Sequence, residues 1–419
     1  MNDAVLRESP LDRGGSVTDL REQNLSQVLR VLATHGPMVR AEIAHRCGLK
    51  VTALTSLVDE LRGRGLVEEI PQPRSKARGR PAHPVALAAE PTCTLAFGCS
   101  RNHVVGAIGN LRGDVVAENR WPISGPAGWD RYAPQLDEVL VATVTDAHRR
   151  GLRPLSAQFA IPGAVDHDRG RVIRSVLNGW GGVDLRGAAE DMLERAGIGT
   201  ALVGVDRETN YALLARRESL DRPAEPVVYL GGRNAISGGI LDRDGIVHGA
   251  GGLAGEFGHL IVDPGGQQCW CGRRGCVETR LGLRYLYAAI NGSEPSFDEL
   301  SERYPAMIDL ITKKADAGDA TVDAALAEAG RWLGITIDTV ASVVNPQVVF
   351  VDGYLCRLTE HVEPSLRGYL DSVGSLPSLA SLSVVYRPDD ADDLSTTGMI
   401  IAGRNAILAR PSVARKAAA

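Results

Sequence analysis

The 419-residue sequence predicts a small α+β unit followed by a large α/β domain. Two observations carry this prediction. Residues 24–62 hold three stretches with apolar side chains at helical spacing, followed by two short β-type runs. From about residue 92, strand-like and helix-like segments alternate towards the end of the chain. A third observation, one His and three Cys within residues 259–276, marks a loop arranged around a metal ion.

The first stretch places Leu25, Val28, Leu29 and Leu32 at i, i+3, i+4, i+7, and Gly36-Pro37 ends it. A short helix from Arg40 to Cys47 turns Ile43 and Ala44 inward, and Gly48 supplies a tight turn. The third helix, Lys50 to Arg62, repeats the spacing with Leu54, Leu57, Val58 and Leu61 before Gly63 and Gly65 stop it. Leu66–Ile70 and Pro84–Leu87 read as paired strands. The loop between them carries Arg74, Lys76, Arg78 and Arg80.

Helix, glycine turn, helix and basic hairpin, in that order, make a winged helix-turn-helix spanning residues 20–90. The second helix of such a motif lies in the DNA major groove. Lys50, Thr52, Ala53, Thr55 and Ser56 lie off its apolar stripe, where short or donor-bearing side chains suit base edges. Arg40 and the four cations of the wing suit phosphate or the minor groove. Residues 20–86 hold eleven Lys or Arg against six Asp or Glu, a local +5 in a chain of net −5. A basic reader on an acidic body fits that pattern. The plainer alternative is a three-helix bundle with a solvated basic hairpin. Residues 1–19 are expected to be a flexible N-terminus.

In the large unit, 94–98, 103–109 and 114–119 read as a strand meander, then come a helix near 130–149 and a strand at 155–160. A strand at 200–204, a helix at 208–219 and strands at 226–232 and 236–242 follow. A long helix (324–344), a strand (348–351) and a closing helix (394–408) complete the pattern, with a disordered tail expected at 409–419. No short internal repeat is visible. His259, Cys269, Cys271 and Cys276 supply four soft or borderline ligands, the set of a closed structural Zn²⁺ site with no open position for catalysis. No run of about 18 apolar residues and no secretory leader is present, and the cysteines make a poor disulfide framework. A cytoplasmic protein without membrane contact is the expectation.

Together these motifs resemble the ROK family (repressors, open reading frames, kinases) over residues 20–408. The strongest pieces are Gly255-Glu256-Phe257-Gly258-His259 and Cys269-x-Cys271-Gly272-x-x-Gly275-Cys276-x-Glu278. Ile161-Pro162-Gly163-Ala164-Val165-Asp166, Leu177-Asn178-Gly179-Trp180 and Val344-Asn345-Pro346 support them, as does Gly79-Arg80-Pro81 in the wing. The resemblance implies that residues 91–408 form a two-lobed, actin-like and sugar-kinase-like domain of the ribonuclease-H-like type, with a sugar in the interlobe cleft. It places Glu256, His259 and Glu278 on the sugar, with Gly163, Asn178, Arg207 and Glu208 in the same effector site. His259 would then serve the ligand with one ring nitrogen and the metal with the other.

The kinase parts of the pattern are altered. The first hairpin, Asp-x-Gly-Gly-Thr in kinases, reads Gly98-Cys99-Ser100-Arg101-Asn102, so Ser100 and Arg101 replace the phosphate-cradling glycines. The second glycine loop reads Arg233-Asn234-Ala235-Ile236-Ser237. The Asn-Asp catalytic pair becomes Arg207-Glu208, whose carboxylate is one methylene longer. Displacing a base by about 1 Å costs roughly 100-fold in rate. Arg207 can meet a phosphate or carboxylate of the effector, or pair with Glu208 or Glu256. The expectation is therefore a non-catalytic regulator, a repressor by family weight, that reads palindromic double-stranded DNA as a homodimer or dimer of dimers. It would answer to a sugar or sugar phosphate. A sugar kinase with an appended DNA-binding unit is the alternative, and a constitutive DNA binder whose large domain only dimerises is another.

Overall fold

The computed structural model describes residues 17–71, 83–123, 128–220, 224–233, 235–373, 379, 381–387 and 391–414. Arg74, Lys76, Arg78 and Arg80 of the expected wing, Asn234, and residues 1–16 lie outside the described residues.

Helices α1 (Val17–His35), α2 (Arg40–Cys47) and α3 (Val51–Gly63) pack as the apolar stripes require, with Leu25, Leu29, Ile43, Leu54, Val58 and Leu61 buried between them. Strands β1 (Val67–Glu69) and β2 (Val85–Leu87) pair antiparallel, Val67 opposite Leu87.

The first lobe follows: β3 (Thr92–Cys99), β4 (His103–Asn110), β5 (Val115–Pro122), α4 (Trp129–Arg149) and β6 (Arg153–Ile161). A three-stranded meander, β7 (Ala164–Asp166), β8 (Arg171–Ser175) and β9 (Trp180–Asp184), precedes α5 (Leu185–Arg195) and β10 (Leu202–Arg207). Helix α6 (Glu208–Glu218) leads to the second lobe, with β11 (Val227–Gly231), β12 (Ser237–Asp242) and β13 (Gly245–Ile246). Helices α7 (Glu278–Leu281), α8 (Leu283–Asn291), α9 (Phe297–Asp316) and α10 (Ala320–Val344) come next, then β14 (Val348–Val351), α11 (Tyr354–Arg357), α12 (Thr359–Val373) and β15 (Ser383–Tyr386). The last helix, α13 (Ala391–Ala409), returns to the first lobe and packs on α6, β3 and β6.

The two main sheets run β5-β4-β3-β6-β10 and β13-β12-β11-β14-β15. Each has an antiparallel meander continued by two parallel strands, so the same plan occurs twice. The sequence hides this duplication, because only strand order and direction are shared. The meander β7–β9 and the helices α5, α8, α9 and α12 also escape the sequence reading. The ends of α10 follow local rules. Asp319 caps it by accepting from Thr321 N and Val322 N, and Asn345 stops it in a left-handed conformation at φ 49 just before Pro346.

Two features depart from expectation. The core of α1–α3 does not close at residue 90, for Leu111, Leu155, Ile407, Leu408 and Ala414 of the large domain belong to it. Arg112 reinforces the seam by bonding Glu68 and the Leu87 carbonyl, and Arg153 bonds the Arg64 carbonyl. Residues Pro411–Val413, expected as part of a disordered tail, form a 3₁₀ turn capped by Ala414 instead. Pro411 and Ala414 are buried, and Ser412 N donates to Glu22 at 2.6 Å.

Gly398 marks the tightest point where α13 crosses α6. A Cβ there would overlap the Tyr211 carbonyl oxygen. Gly to Ala inside a helix normally stabilises by about 1 kcal/mol. Here Gly398→Ala is expected to destabilise by about 1–3 kcal/mol, the range for overpacking. Thermal unfolding of the full chain checks the sign.

Candidate effector cleft and metal cluster

The carboxyl ends of three adjacent strands of the first sheet open into the space between the lobes, the usual place for a ligand in such sheets. β3 delivers Ser100 and Arg101, β6 delivers Gly163, and β10 with α6 delivers Arg207 and Glu208. The second lobe closes the space with Glu256 and His259. The resulting cavity holds about 400 Å³, within the range of small-molecule sites.

Arg207 pairs with Glu256, one of the two roles open to it, and also lines the cavity. Its guanidinium is only 3 % exposed and donates to Glu256 Oε1 at 2.6 Å, to the Ala254 and Gly238 carbonyls at 2.6 and 2.9 Å, and to Asn210 Oδ1 at 3.3 Å. A buried cation must be satisfied by acceptors, and these acceptors come from the second lobe and α6. Arg207 thus ties the lobes across the cleft floor.

Asn178 and Glu278 are not among the residues lining the cavity. Asn178 is buried and donates to the Cys99 carbonyl at 3.1 Å, which steadies the end of β3. Glu278 is 1 % exposed and accepts from Ile236 N at 2.6 Å. Burial pushes its carboxyl up to about 8. Sequence reasoning missed the partner of Arg101. Its guanidinium reaches Asp298 at the start of α9 at 2.7 Å and the Leu177 carbonyl at 2.9 Å, so it spans the lobes.

His259, Cys269, Cys271 and Cys276 converge, with all four donor atoms within 4.8 Å of one another. Cys271 and Cys276 Sγ are 3.7 Å apart, and His259 Nδ1 lies 3.8 Å from Cys269 Sγ. Sulfurs around a tetrahedral ion with bonds of about 2.3 Å stand about 3.8 Å apart, so the residues fit the ion. Backbone bridges Ile261–Cys276 and Gln268–Arg274 close the loop, and Trp270 sets its ring edge-on to His259 at 4.8 Å.

On α3, Thr52, Ala53 and Ser56 are exposed, as is Lys50 just before it. Thr55 is half-buried and donates to the Val51 carbonyl at 2.9 Å. Arg40 is already paired with Glu69 at 2.7 Å and with Asp59 at 3.3 Å, so any phosphate contact must compete with two carboxylates.

A profile of the ROK family matches residues 96–401. The chain is 25% identical over 402 residues to the DNA-binding transcriptional dual regulator NagC of Escherichia coli K12, covering 94% of this chain and 95% of NagC. It superposes on the crystal structure of a ROK family transcriptional regulator, a homologue of the E. coli Mlc protein, with a TM-score of 0.78 at 22% identity, over 94% of this chain and 99% of that one. A ROK hexokinase from Thermus thermophilus matches at 0.56 and 21% identity, over 74% of this chain and 97% of that one. With nearly three quarters of its length matched by that profile, the chain belongs to the ROK family.

Proposed function

We propose that this protein is a sugar-responsive, DNA-binding transcriptional regulator, acting as a repressor, whose kinase-like cleft senses a sugar and no longer phosphorylates it. The observation that carries the reading is the end-to-end match to a DNA-binding regulator: α1–α3 and the kinase-like lobes align as one chain. In this reading α1–α3 with β1 and β2 form a winged helix-turn-helix, α3 enters the major groove, and a dimer reads two half-sites. The sugar lies against Gly163, Glu208, Glu256 and His259. Zn²⁺ held by His259, Cys269, Cys271 and Cys276 fixes the ring of His259 beside it. Asn178 and Glu278 brace the wall. Ligand binding favours one lobe arrangement and shifts DNA affinity by its preference for that arrangement.

The loss of phosphoryl transfer rests on the cleft wall. Ser100 and Arg101 stand where glycines would admit a phosphate, and Arg101 is committed to Asp298 and Leu177. The kinase alternative predicts ATP-dependent sugar turnover on the order of one per second. An ADP-release assay over a sugar panel is expected to show none.

Fluorescence anisotropy with the protein's own upstream DNA tests the reader. Thr52→Ala is expected to weaken specific binding by about 1–3 kcal/mol, roughly 5- to 150-fold, as for a lost base contact. Lys50→Ala, if Lys50 touches phosphate, should weaken all sequences alike and lower the salt slope by about 1. Failure of the wild-type chain to bind any segment of that DNA would overturn the proposal.

A further inference from the structure

A second cluster of metal-ligating side chains lies away from the His/Cys loop. His167 sits in the turn between β7 and β8, Asp206 is the penultimate residue of β10, and His248 follows β13 in the other lobe. His248 Nε2 is 2.7 Å and His167 Nδ1 is 3.5 Å from one oxygen, Asp206 Oδ2. The three donor atoms lie within 4.8 Å of one another, and the two imidazoles stack with centroids 4.0 Å apart.

The arrangement is built rather than incidental. Asp206 is 4 % exposed, and its other oxygen accepts from Asn210 Nδ2 and Arg207 N, both at 2.7 Å. Those bonds aim Oδ2 at the two rings, as an outer shell does for a ligating carboxylate. The loop carrying His248 is held against the first lobe backbone to backbone, since a Cβ on Gly252 would overlap the Val165 carbonyl oxygen. The nearby Arg186 is turned to the His167 and Asp168 carbonyls.

We propose that His167, Asp206 and His248 form a second metal site that takes a borderline divalent cation of the Zn²⁺ type and joins the two lobes. Two imidazoles and one carboxylate are the donor set such ions prefer over Mg²⁺ or Ca²⁺. Ligands at 2.0–2.1 Å around a tetrahedral ion stand about 3.3 Å apart. The observed 2.7 and 3.5 Å bracket that value, so loading asks for small shifts of two partly exposed rings and for His167 Nδ1 to leave the Val205 carbonyl, 3.2 Å away. Each ring, on giving its inward nitrogen to the metal, carries its proton on the outward one. Three protein ligands leave a coordination position for water or an oxygen ligand. The site is independent of the sugar reading. It touches the cleft through Asp206, whose neighbours Asn210 and Arg207 carry the tie to Glu256.

The test counts metal in the full-length chain and needs neither DNA nor sugar. Protein stripped of metal and re-equilibrated with Zn²⁺ is expected to hold two equivalents per chain by elemental analysis, and His248→Ala or His167→Gln one. With Co²⁺, the wild type should add weak visible bands beyond those of the sulfur site, and the same variants should lose those bands while keeping the thiolate charge-transfer band. The second Zn²⁺ should bind about 10- to 100-fold or more weaker in either variant by titration calorimetry. A wild-type chain that saturates at one equivalent, or a second equivalent that survives both variants and Asp206→Asn, overturns the proposal. Should His248→Ala fail to fold, the wild-type count and the half-exposed His167 variant decide it.

Discussion

Asp352→Ala is expected to cost about 3–5 kcal/mol of stability, the range for removing one partner of a buried ion pair. Asp352 lies just past β14, with its side chain fully buried, and accepts from Arg216 Nε at 2.7 Å. Arg216, on α6, is 2 % exposed and also donates to the Arg387 carbonyl at 2.9 Å. Removing the carboxylate takes an ion-pair partner from a buried guanidinium, where desolvation is costly. Natural domains are stable by only about 5–15 kcal/mol, so the variant should lose a large share of the total. Urea unfolding checks this through a lowered midpoint. The double exchange Arg216→Met with Asp352→Leu should be less damaging than the single one, because the buried charge goes with its partner. A single-variant loss below about 1 kcal/mol would mean that the pair is not desolvated as described.

Cys276→Ser is expected to have the other large effect. Cys276 is fully buried, and with His259, Cys269 and Cys271 it completes the proposed zinc set. Structural zinc contributes an apparent 10–16 kcal/mol in small zinc-finger peptides, so a loop built around the ion does not keep its form without it. The variant should lose the sulfur-bound metal equivalent and amide-exchange protection across residues 259–276. Sugar response should go too, because His259 lines the cleft. Hydrogen exchange, metal content and operator release by sugar measure the three. Unchanged protection in a metal-free variant would argue against a structural ion.

The local parts of this molecule were legible because short-range rules write them. The stripes through Leu25, Leu54 and Leu61 specify helices and their buried faces, Gly48 marks the turn, and the spacing of Cys269, Cys271 and Cys276 marks the cluster that gathers with His259. What was hidden is tertiary. Arg207 offered an anion site or an ion pair, and only the folded chain shows the guanidinium paired with Glu256 and bonded to the Gly238 and Ala254 carbonyls. Glu278 belongs to the family motif and still lies behind the cavity wall, because motif membership says nothing of depth. Asp206 and His248 are 42 residues apart in the chain and carry no spacing signal at all. The seam between the N-terminal unit and the large domain was invisible for a related reason. Leu155 and Ile407 fall inside an expected strand and helix and Leu111 between strands, and nothing in the sequence says that they reach α1–α3.

That seam turns α13 into a lever arm. The helix is 19 residues long, hence about 28 Å. Ser395 and Thr396, near its start, border a recess shared with Ser100 and Glu208, while Ile407 and Leu408, near its end, are embedded under α1–α3. A rod of that length tilted by roughly 5° at one end sweeps the other through about 2.5 Å, comparable to the depth of a single hydrogen bond at a base edge. If α1–α3 read DNA as proposed, a lobe rotation that tilts α13 would re-aim them directly.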